Sequence, residues 1–268
     1  MGIRPGNVYP LSLAFACYHF VMVIVANWKA YIEDRDRVKK LFVRAKRLSR
    51  LRGITIVLAP PAPLLGALAV KNKSRVAFAA QDVSVTTGGA KTGEVTAAAY
   101  AAAGATYAII GHSERRLMGE TDETITRKLG HALAHGLTPI LCIGERERDS
   151  EGRYLSFVRE QLTLALGPIA QKDRAGIIVA YEPIWAIGKT AEEAIDPIDL
   201  NEMVSYIRKV LAELLPGKSA SHTTVLYGGS VENENVRDLA GATGVDGFLI
   251  GHSSVDVDTF AALVKNLV

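Results

Sequence analysis

Eight short apolar runs rich in β-branched residues alternate along the chain with segments whose apolar positions recur at helical spacing. The runs occupy residues 21–27, 54–60, 76–81, 106–111, 138–144, 177–182, 223–229 and 245–251. Amphipathic segments such as 122–136 and 153–166 lie between them, and another begins at Asp196-Pro197, an N-cap followed by proline at the first helical position. The pattern predicts a strand and a helix, repeated eight times.

Strands that are apolar on both faces and separated by helices are typical of a parallel sheet covered by helices. Eight such units within about 250 residues favour the α/β class and a closed (β/α)8 barrel, which we place as a single domain at residues 20–268. No G-x-G-x-x-G follows the first run, which weakens a dinucleotide-binding interpretation. An open doubly wound sheet remains the alternative fold.

Residues 1–19 precede the first predicted strand and are apolar behind a single Arg4. The stretch has the length of a signal peptide, but it lacks a clean A-x-A cleavage site and runs directly into a core strand. A membrane span would have to include His19. We therefore expect no membrane anchor, and interpret residues 1–19 as an N-terminal extension or as the product of a start site upstream of the working one.

Composition limits which kinds of binding partner and which cellular compartment are expected for this chain. The chain has 268 residues, of which 49% are apolar and 22% charged, with a net charge of +3. Basic residues are not interleaved with aromatics, so we expect no nucleic-acid partner. The two cysteines, Cys17 and Cys142, cannot form a disulfide framework or a zinc site, which favours a reducing compartment and a cytoplasmic location.

A metal site is not expected. His131 and His135 have the spacing of zinc ligands on a helix, but no H-E-x-x-H glutamate and no third ligand accompany them. We interpret both as solvated helix histidines.

Polar residues and glycines follow several of the predicted strands, and in a barrel the carboxyl ends of all strands meet at one mouth, where active sites lie. The residues at these ends are Asn27, Lys29, Gln81, His112, Glu114, Glu182, Gly228, Gly229, Ser230, Gly251 and His252. Closure of the barrel would bring them together although tens of residues separate them in the sequence.

Among these groups, Lys29, His112 and Glu182 point to acid–base chemistry, since no serine or cysteine nucleophile stands beside a base. A sheltered carboxylate can remove a proton from carbon if the resulting enolate is stabilised, by an imidazole on the carbonyl oxygen and by a nearby ammonium. Glycine-rich turns after the last two strands expose backbone N–H groups that can bind phosphate. The set predicts interconversion of a phosphorylated aldose and ketose.

Five motifs carry a resemblance to a known family. NWK at 27–29, IIGHSERR at 109–116, CIGE at 142–145, AYEPIWAIGK at 180–189 and YGGSV at 227–231 together resemble the triosephosphate isomerase family. The resemblance runs from about residue 21 to the end, with the motifs in family order. It implies dihydroxyacetone phosphate and glyceraldehyde 3-phosphate as substrates, a place in glycolysis and gluconeogenesis, and no cofactor.

The resemblance also assigns roles. Glu182 would carry the proton between the two carbons, and His112, held neutral at the start of a short helix, would hydrogen-bond the substrate oxygens. Lys29 would stabilise negative charge on the substrate and the enediolate, and Asn27 would help to shape its pocket. Glu114 matches a family acid to which we give a supporting role.

Residues 183–190 match the family's lid over the bound phosphate and are called the lid below; 183–185 match its first hinge and 186–188 its apolar tip. Gly188, Ser230 and Gly251 match positions that donate N–H groups to phosphate. Two departures stand out: His252 replaces a family glycine and adds a side chain at that site, and Lys189-Thr190 follows Gly188 directly where many relatives have Thr-Gly-Lys. We expect these changes to alter lid rate and phosphate affinity more than reaction type.

The long loop from Gln81 to Glu94 matches the family loop that reaches into a neighbouring subunit, with Thr87 at the interface position. The resemblance therefore predicts a homodimer, with a tetramer as the open alternative and a mobile surface loop as the simplest other interpretation.

Two rival functions remain at this stage. A different phosphate-binding barrel isomerase would share the phosphate turns but has no reason to keep Lys29, His112 and Glu182 together. A non-catalytic relative that only binds ligands should tolerate loss of the base, yet Glu182 and the hinge are intact.

Overall fold

The computed structural model describes residues 21–32, 34–190, 193–215, 223–242 and 244–268. The predicted extension at residues 1–19 lies outside the described residues and stays a prediction, as does the domain boundary at residue 20.

The sheet is a closed barrel of parallel strands, hydrogen-bonded in chain order. The strands are β1 (Met22–Asn27), β2 (Ile54–Ala59), β3 (Ala77–Ala80), β4 (Tyr107–Ile110), β5 (Thr138–Ile143), β6 (Ile178–Tyr181), β7 (Val225–Tyr227) and β8 (Gly247–Ile250). Strand β1 pairs with β2 on one side and with β8 on the other, which closes the barrel. The closed (β/α)8 barrel is thus confirmed, and the open doubly wound alternative is wrong.

Helices follow the strands and lie on the outside of the barrel. They are α1 (Arg35–Leu48), α2 (Ala62–Ala69), α3 (Ala97–Ala102), α4 (Ser113–Leu117), α5 (Asp122–Ala134), α6 (Arg153–Leu166), α7 (Gln171–Arg174), α8 (Pro197–Leu214), α9 (Val236–Ala242) and α10 (Val257–Lys265). The predicted start of α8 is confirmed, because the Asp196 carboxylate accepts a hydrogen bond from Ile198 N at 2.7 Å. None of the helices in the described part of the chain combines the length and the hydropathy that crossing a lipid bilayer requires.

Two apolar layers hold the barrel together. Side chains such as Val25, Ile109 and Leu226 fill its interior, and a larger layer, which includes Leu41 and Phe260, packs between the strands and the surrounding helices. Burying a large apolar side chain contributes about 1.5–3 kcal/mol. The two layers explain why the strands are apolar on both faces.

The two-residue period of a strand decides which strand-end groups face the mouth of the barrel. On β6, Ile178 and Ala180 belong to the interior layer, so Glu182, two residues further on, continues on the same face. On β1, Val25 lies in the interior layer, and Asn27 follows in the same phase. The sequence period thus aims a carboxylate and an amide into the space above the interior layer.

Candidate active site

A cavity of about 370 Å³ lies at the C-terminal mouth of the barrel. The residues predicted to act in catalysis, substrate binding or support all line it: Asn27, Lys29, His112, Glu114, Glu182, Gly188, Ser230, Gly251 and His252. Of the other strand-end residues, Gly228 and Gly229 also line it, and Gln81 is not among the lining residues. The lining residues come from the ends of five strands and the segments that follow them, so only closure of the barrel brings them together. The volume lies at the lower end of the range for small-molecule sites.

Glu182 lies at the centre of the site and is only 2% exposed. Its Oε2 accepts a hydrogen bond from Ser113 N at 3.1 Å, and its Oε1 lies 3.2 Å from His112 Nε2. Two glycines make room for it. A Cβ on Gly144 would lie 1.9 Å from the Glu182 carbonyl oxygen, and a Cβ on Gly228 would lie 2.8 Å from Glu182 Cγ. The main chain of Glu182 therefore excludes a side chain at position 144, and its side chain excludes one at position 228.

His112 is the N-cap of α4, and its Nδ1 accepts a hydrogen bond from Glu114 N at 3.2 Å. An imidazole that accepts at Nδ1 carries its proton on Nε2 and is neutral. The preceding Gly111, at φ 72°, makes the turn that carries the chain from β4 into this cap. The geometry directs a neutral N–H donor from His112 into the cavity beside Glu182.

Cys142 lies on β5 beneath the carboxylate and is fully buried. Burial, and then the negative charge of Glu182, raise the pKa of the Cys142 thiol well above its usual value. The thiol therefore remains protonated, and it does not act as a nucleophile in this site.

Lys29 has an unusual backbone conformation for a residue other than glycine, with φ at 45°. The Asn27 side chain stabilises this turn, because its Oδ1 accepts a hydrogen bond from Lys29 N at 3.1 Å. Gln81 Nε2 donates to the Lys29 and Ala59 carbonyl oxygens at 2.9 Å each. Lys29 Nζ lies 2.6 Å from Glu114 Oε1. A strained backbone at a functional site fits a side chain that must be held in one position.

The other end of the cavity is formed largely by backbone and small residues. Ser230 Oγ accepts a hydrogen bond from Lys189 N at 3.0 Å, which ties the lid to the turn after β7. A Cβ on Gly251 would lie 3.3 Å from Lys29 Cε, so glycine leaves room for the lysine. The His252 ring is exposed and packs edge-on against Tyr31, with ring centroids 5.8 Å apart.

The lid begins in a 3₁₀ turn, Ile184–Ala186, which contacts the buried Glu145. Trp185 Nε1 and the Tyr181 hydroxyl both donate to Glu145 Oε1, at 2.9 and 2.8 Å. Ile184 N donates to the Glu145 carbonyl oxygen at 2.9 Å. The side chain and the main chain of Glu145 therefore both hold the lid hinge.

Sequence reasoning did not find some of these roles. Glu145 lies in the CIGE motif and Gln81 at the end of the third strand, but the sequence assigns neither a role, and it predicts no role for the Ser113 N–H or Tyr31. A buried acid directly after an apolar strand was the available signal for Glu145. Nothing in the local sequence marked Tyr31.

No group of three or more histidine, cysteine, aspartate or glutamate side chains within the described ranges is arranged to hold a metal ion. His131 and His135 lie at the end of α5, away from the residues that line the cavity.

Comparison with known proteins gives one consistent result. A sequence profile of the family described as "Triosephosphate isomerase" matches residues 22–267. The chain is 38% identical over 244 residues to a protein of that name from Symbiobacterium thermophilum, covering 90% of this chain and 94% of the relative. It is 40% identical over 252 residues to the protein of that name from Geotalea uraniireducens, covering 91% and 97%. The corresponding protein of Halorhodospira halophila is 40% identical over 244 residues, covering 90% and 96%.

Proposed function

The chain belongs to the triosephosphate isomerase family and is an isomerase of triose phosphates, and we propose that Glu182, His112 and Lys29 carry out its reaction. The substrates are dihydroxyacetone phosphate and glyceraldehyde 3-phosphate. The observation that carries the assignment is the buried Glu182 carboxylate 3.2 Å from His112 Nε2, in a cavity that Lys29 also lines.

The reaction moves one proton between adjacent carbons and one between the two oxygens that those carbons carry. Glu182 removes a proton from the carbon next to the substrate carbonyl, and the electron pair of that C–H bond forms the enediolate. The Nε2–H of His112 donates a hydrogen bond to the oxygens on which negative charge develops, and the Lys29 ammonium stabilises that charge. Glu182 then returns the proton to the neighbouring carbon, while the hydroxyl proton of the starting triose phosphate passes to the former carbonyl oxygen by way of His112 Nε2, which gives the other triose phosphate. Both protons stay within the substrate, Glu182 and His112, so the balance closes without any further reactant.

Phosphate binding is assigned to the end of the cavity that the segments after β6, β7 and β8 form. We assign the backbone N–H groups of Gly188, Ser230 and Gly251, and that of His252, to the phosphate oxygens. Small residues and tight turns there expose N–H groups to an anion. Closure of the lid over the phosphate would exclude water and protect the enediolate.

The test is isomerisation of glyceraldehyde 3-phosphate by the purified chain beside Glu182→Gln. The amide has nearly the same shape but cannot accept the proton, so kcat should fall by about 10²–10⁴-fold. Glu202→Gln, on the exposed face of α8, is the matched control and should retain wild-type kcat. A folded wild-type chain that is as inactive as Glu182→Gln would contradict the assignment.

We further propose a homodimer in the cytoplasm, assembled through the loop from Gln81 to Glu94. The loop tip supports this, because Thr87 and the residues after it are exposed in the isolated chain although glycines with positive φ give the tip a defined shape. Sedimentation at micromolar concentration should give a mass of two chains. The mass of four chains would support the tetramer, and the mass of one chain would contradict both the dimer and the tetramer.

A further inference from the structure

Arg148, in the loop between β5 and α6, lies between two aromatic rings. Its Cζ is 5.1 Å from the ring centroid of Trp185 and 5.1 Å from that of Tyr154. A guanidinium over an aromatic face is attracted by the ring's electrons, and its planar shape allows it to stack on both rings at once. The contact with Trp185 reaches the first turn of the lid.

The same guanidinium compensates a buried charge. Glu145 is 2% exposed, and its Oε1 lies 3.4 Å from Arg148 Nε. Within the described residues, Arg148 is the only cation at ion-pairing distance from Glu145. Removing one partner of a buried pair leaves the other charge uncompensated, which is costly. Glu145 also accepts the Trp185 hydrogen bond, so its position affects the hinge directly.

Arg148 also reaches the helix that follows the lid. Its Nη1 lies 3.0 Å from Asp199 Oδ2, in the first turn of α8. Burial lowers the pKa of Arg148, while the Tyr181 hydroxyl and the two carboxylates raise it; the balance raises it above its usual value, so Arg148 stays charged. One permanently charged side chain therefore contacts the first hinge of the lid and the helix that follows the lid.

We propose that Arg148 is a positioning residue. It holds the first hinge of the lid and the start of α8 in a fixed position relative to each other, so that the lid moves between defined positions. The inference rests on the function proposed above, because it assigns Arg148 a part in covering the substrate phosphate. A lid without this restraint has more conformational freedom to lose on closing, which weakens substrate binding.

The test compares Arg148→Met with Arg159→Met. Arg159 offers a matched control, since it also stacks on a tyrosine (Tyr206, 5.9 Å) and pairs with a carboxylate (Glu213), but on the outer faces of α6 and α8. Arg148→Met should lower kcat/KM at least tenfold, mainly through a higher KM, and Arg159→Met should stay within twofold of wild type. Arg148→Lys keeps the charge but not the planar stacking, and should recover part of the loss.

Tryptophan fluorescence can follow the environment of Trp185 in the hinge in the absence of catalytic turnover. Titration of wild type with inorganic phosphate should change the Trp185 emission, and Trp185→Phe should remove that change. In Arg148→Met the change should require at least tenfold more phosphate, whereas Arg159→Met should behave as wild type. Thermal unfolding of both variants separates a general loss of stability from a loss at the hinge.

Arg148→Met and Arg159→Met with equal KM and equal phosphate titrations would overturn the inference while leaving the isomerase function intact. A loss of kcat/KM that merely parallels the loss of thermal stability in both variants would also overturn it. A wild-type chain without triose phosphate turnover would instead contradict the proposed function, and the phosphate titration would still show whether Arg148 acts on the hinge.

Discussion

The two ends of the cavity are built differently. At the end to which we assign proton transfer, the side chains proposed to do the chemistry are buried and hydrogen-bonded: Glu182 is 2% and His112 7% exposed. At the phosphate end, backbone N–H groups are the expected ligands, and the side chains of Lys189 and His252 are exposed; Lys189 has a side-chain exposure of 47%. The departures from the family pattern at Lys189 and His252 both lie at the second end.

The difference indicates which substitutions the site can tolerate. A side chain that moves a proton must lie within hydrogen-bond reach of the reacting atoms, and a displacement of about 1 Å can cost on the order of 10²-fold in rate. Any residue other than proline has a backbone N–H whatever its side chain is, and this N–H stays in place provided that the turn keeps its shape. The phosphate end can therefore change its side chains, whereas the proton-transfer end cannot.

Removing Lys29 should give the largest effect among the following changes. Lys29→Met removes the positive charge near the developing enediolate, and kcat should fall by about 10²–10³-fold. Lys189→Met is the matched control at the other end, where the exposed lysine side chain pairs with Glu193, and kcat should stay within about twofold. Steady-state kinetics of both variants measure this. Equal losses would break the distinction between the two ends.

Gly228→Ala tests the space beside the base. The added methyl group would lie 2.8 Å from Glu182 Cγ and must displace the carboxylate, so kcat should fall by about tenfold to hundredfold. Gly241→Ala in α9 meets nothing within 4 Å and should leave kcat unchanged while stabilising the helix by about 0.5–1 kcal/mol. Kinetics and chemical denaturation of the two variants give both quantities. Wild-type kcat in Gly228→Ala would show that the position of Glu182 is not critical.

His252→Gly, which restores the family residue, should give the smallest effect. The backbone N–H remains, and an exposed side chain near an anion contributes about 0–1 kcal/mol, so KM should change by less than about fivefold with kcat unchanged. His252→Ala separates loss of the ring from the added flexibility of glycine. A larger rise of KM in both variants would show that the imidazole itself binds the phosphate, and the two ends would then be less different than proposed.

Most of the fold could be predicted because its signals are local. Apolar runs with helical spacing between them identified the strand–helix units, and the Asp196-Pro197 pair identified the start of α8. The strands are shorter than the apolar runs in several places; the run at 223–229, for example, contains β7 at Val225–Tyr227. Glycines such as Gly228 and Gly229 extend the apolar run at its C-terminal end, although they lie in a turn beyond the last paired residue of the strand.

The sequence by itself determined which chemical groups stand at the strand ends, and the two-residue period determined that Glu182 faces the interior. Only the tertiary structure decided which His112 nitrogen meets Glu182, how Asn27 and Gln81 hold the unusual backbone of Lys29, and that Arg148 reaches both sides of the lid. These features depend on distances between groups far apart in the chain. Closure of the barrel sets those distances, and local periodicity contains no information about them.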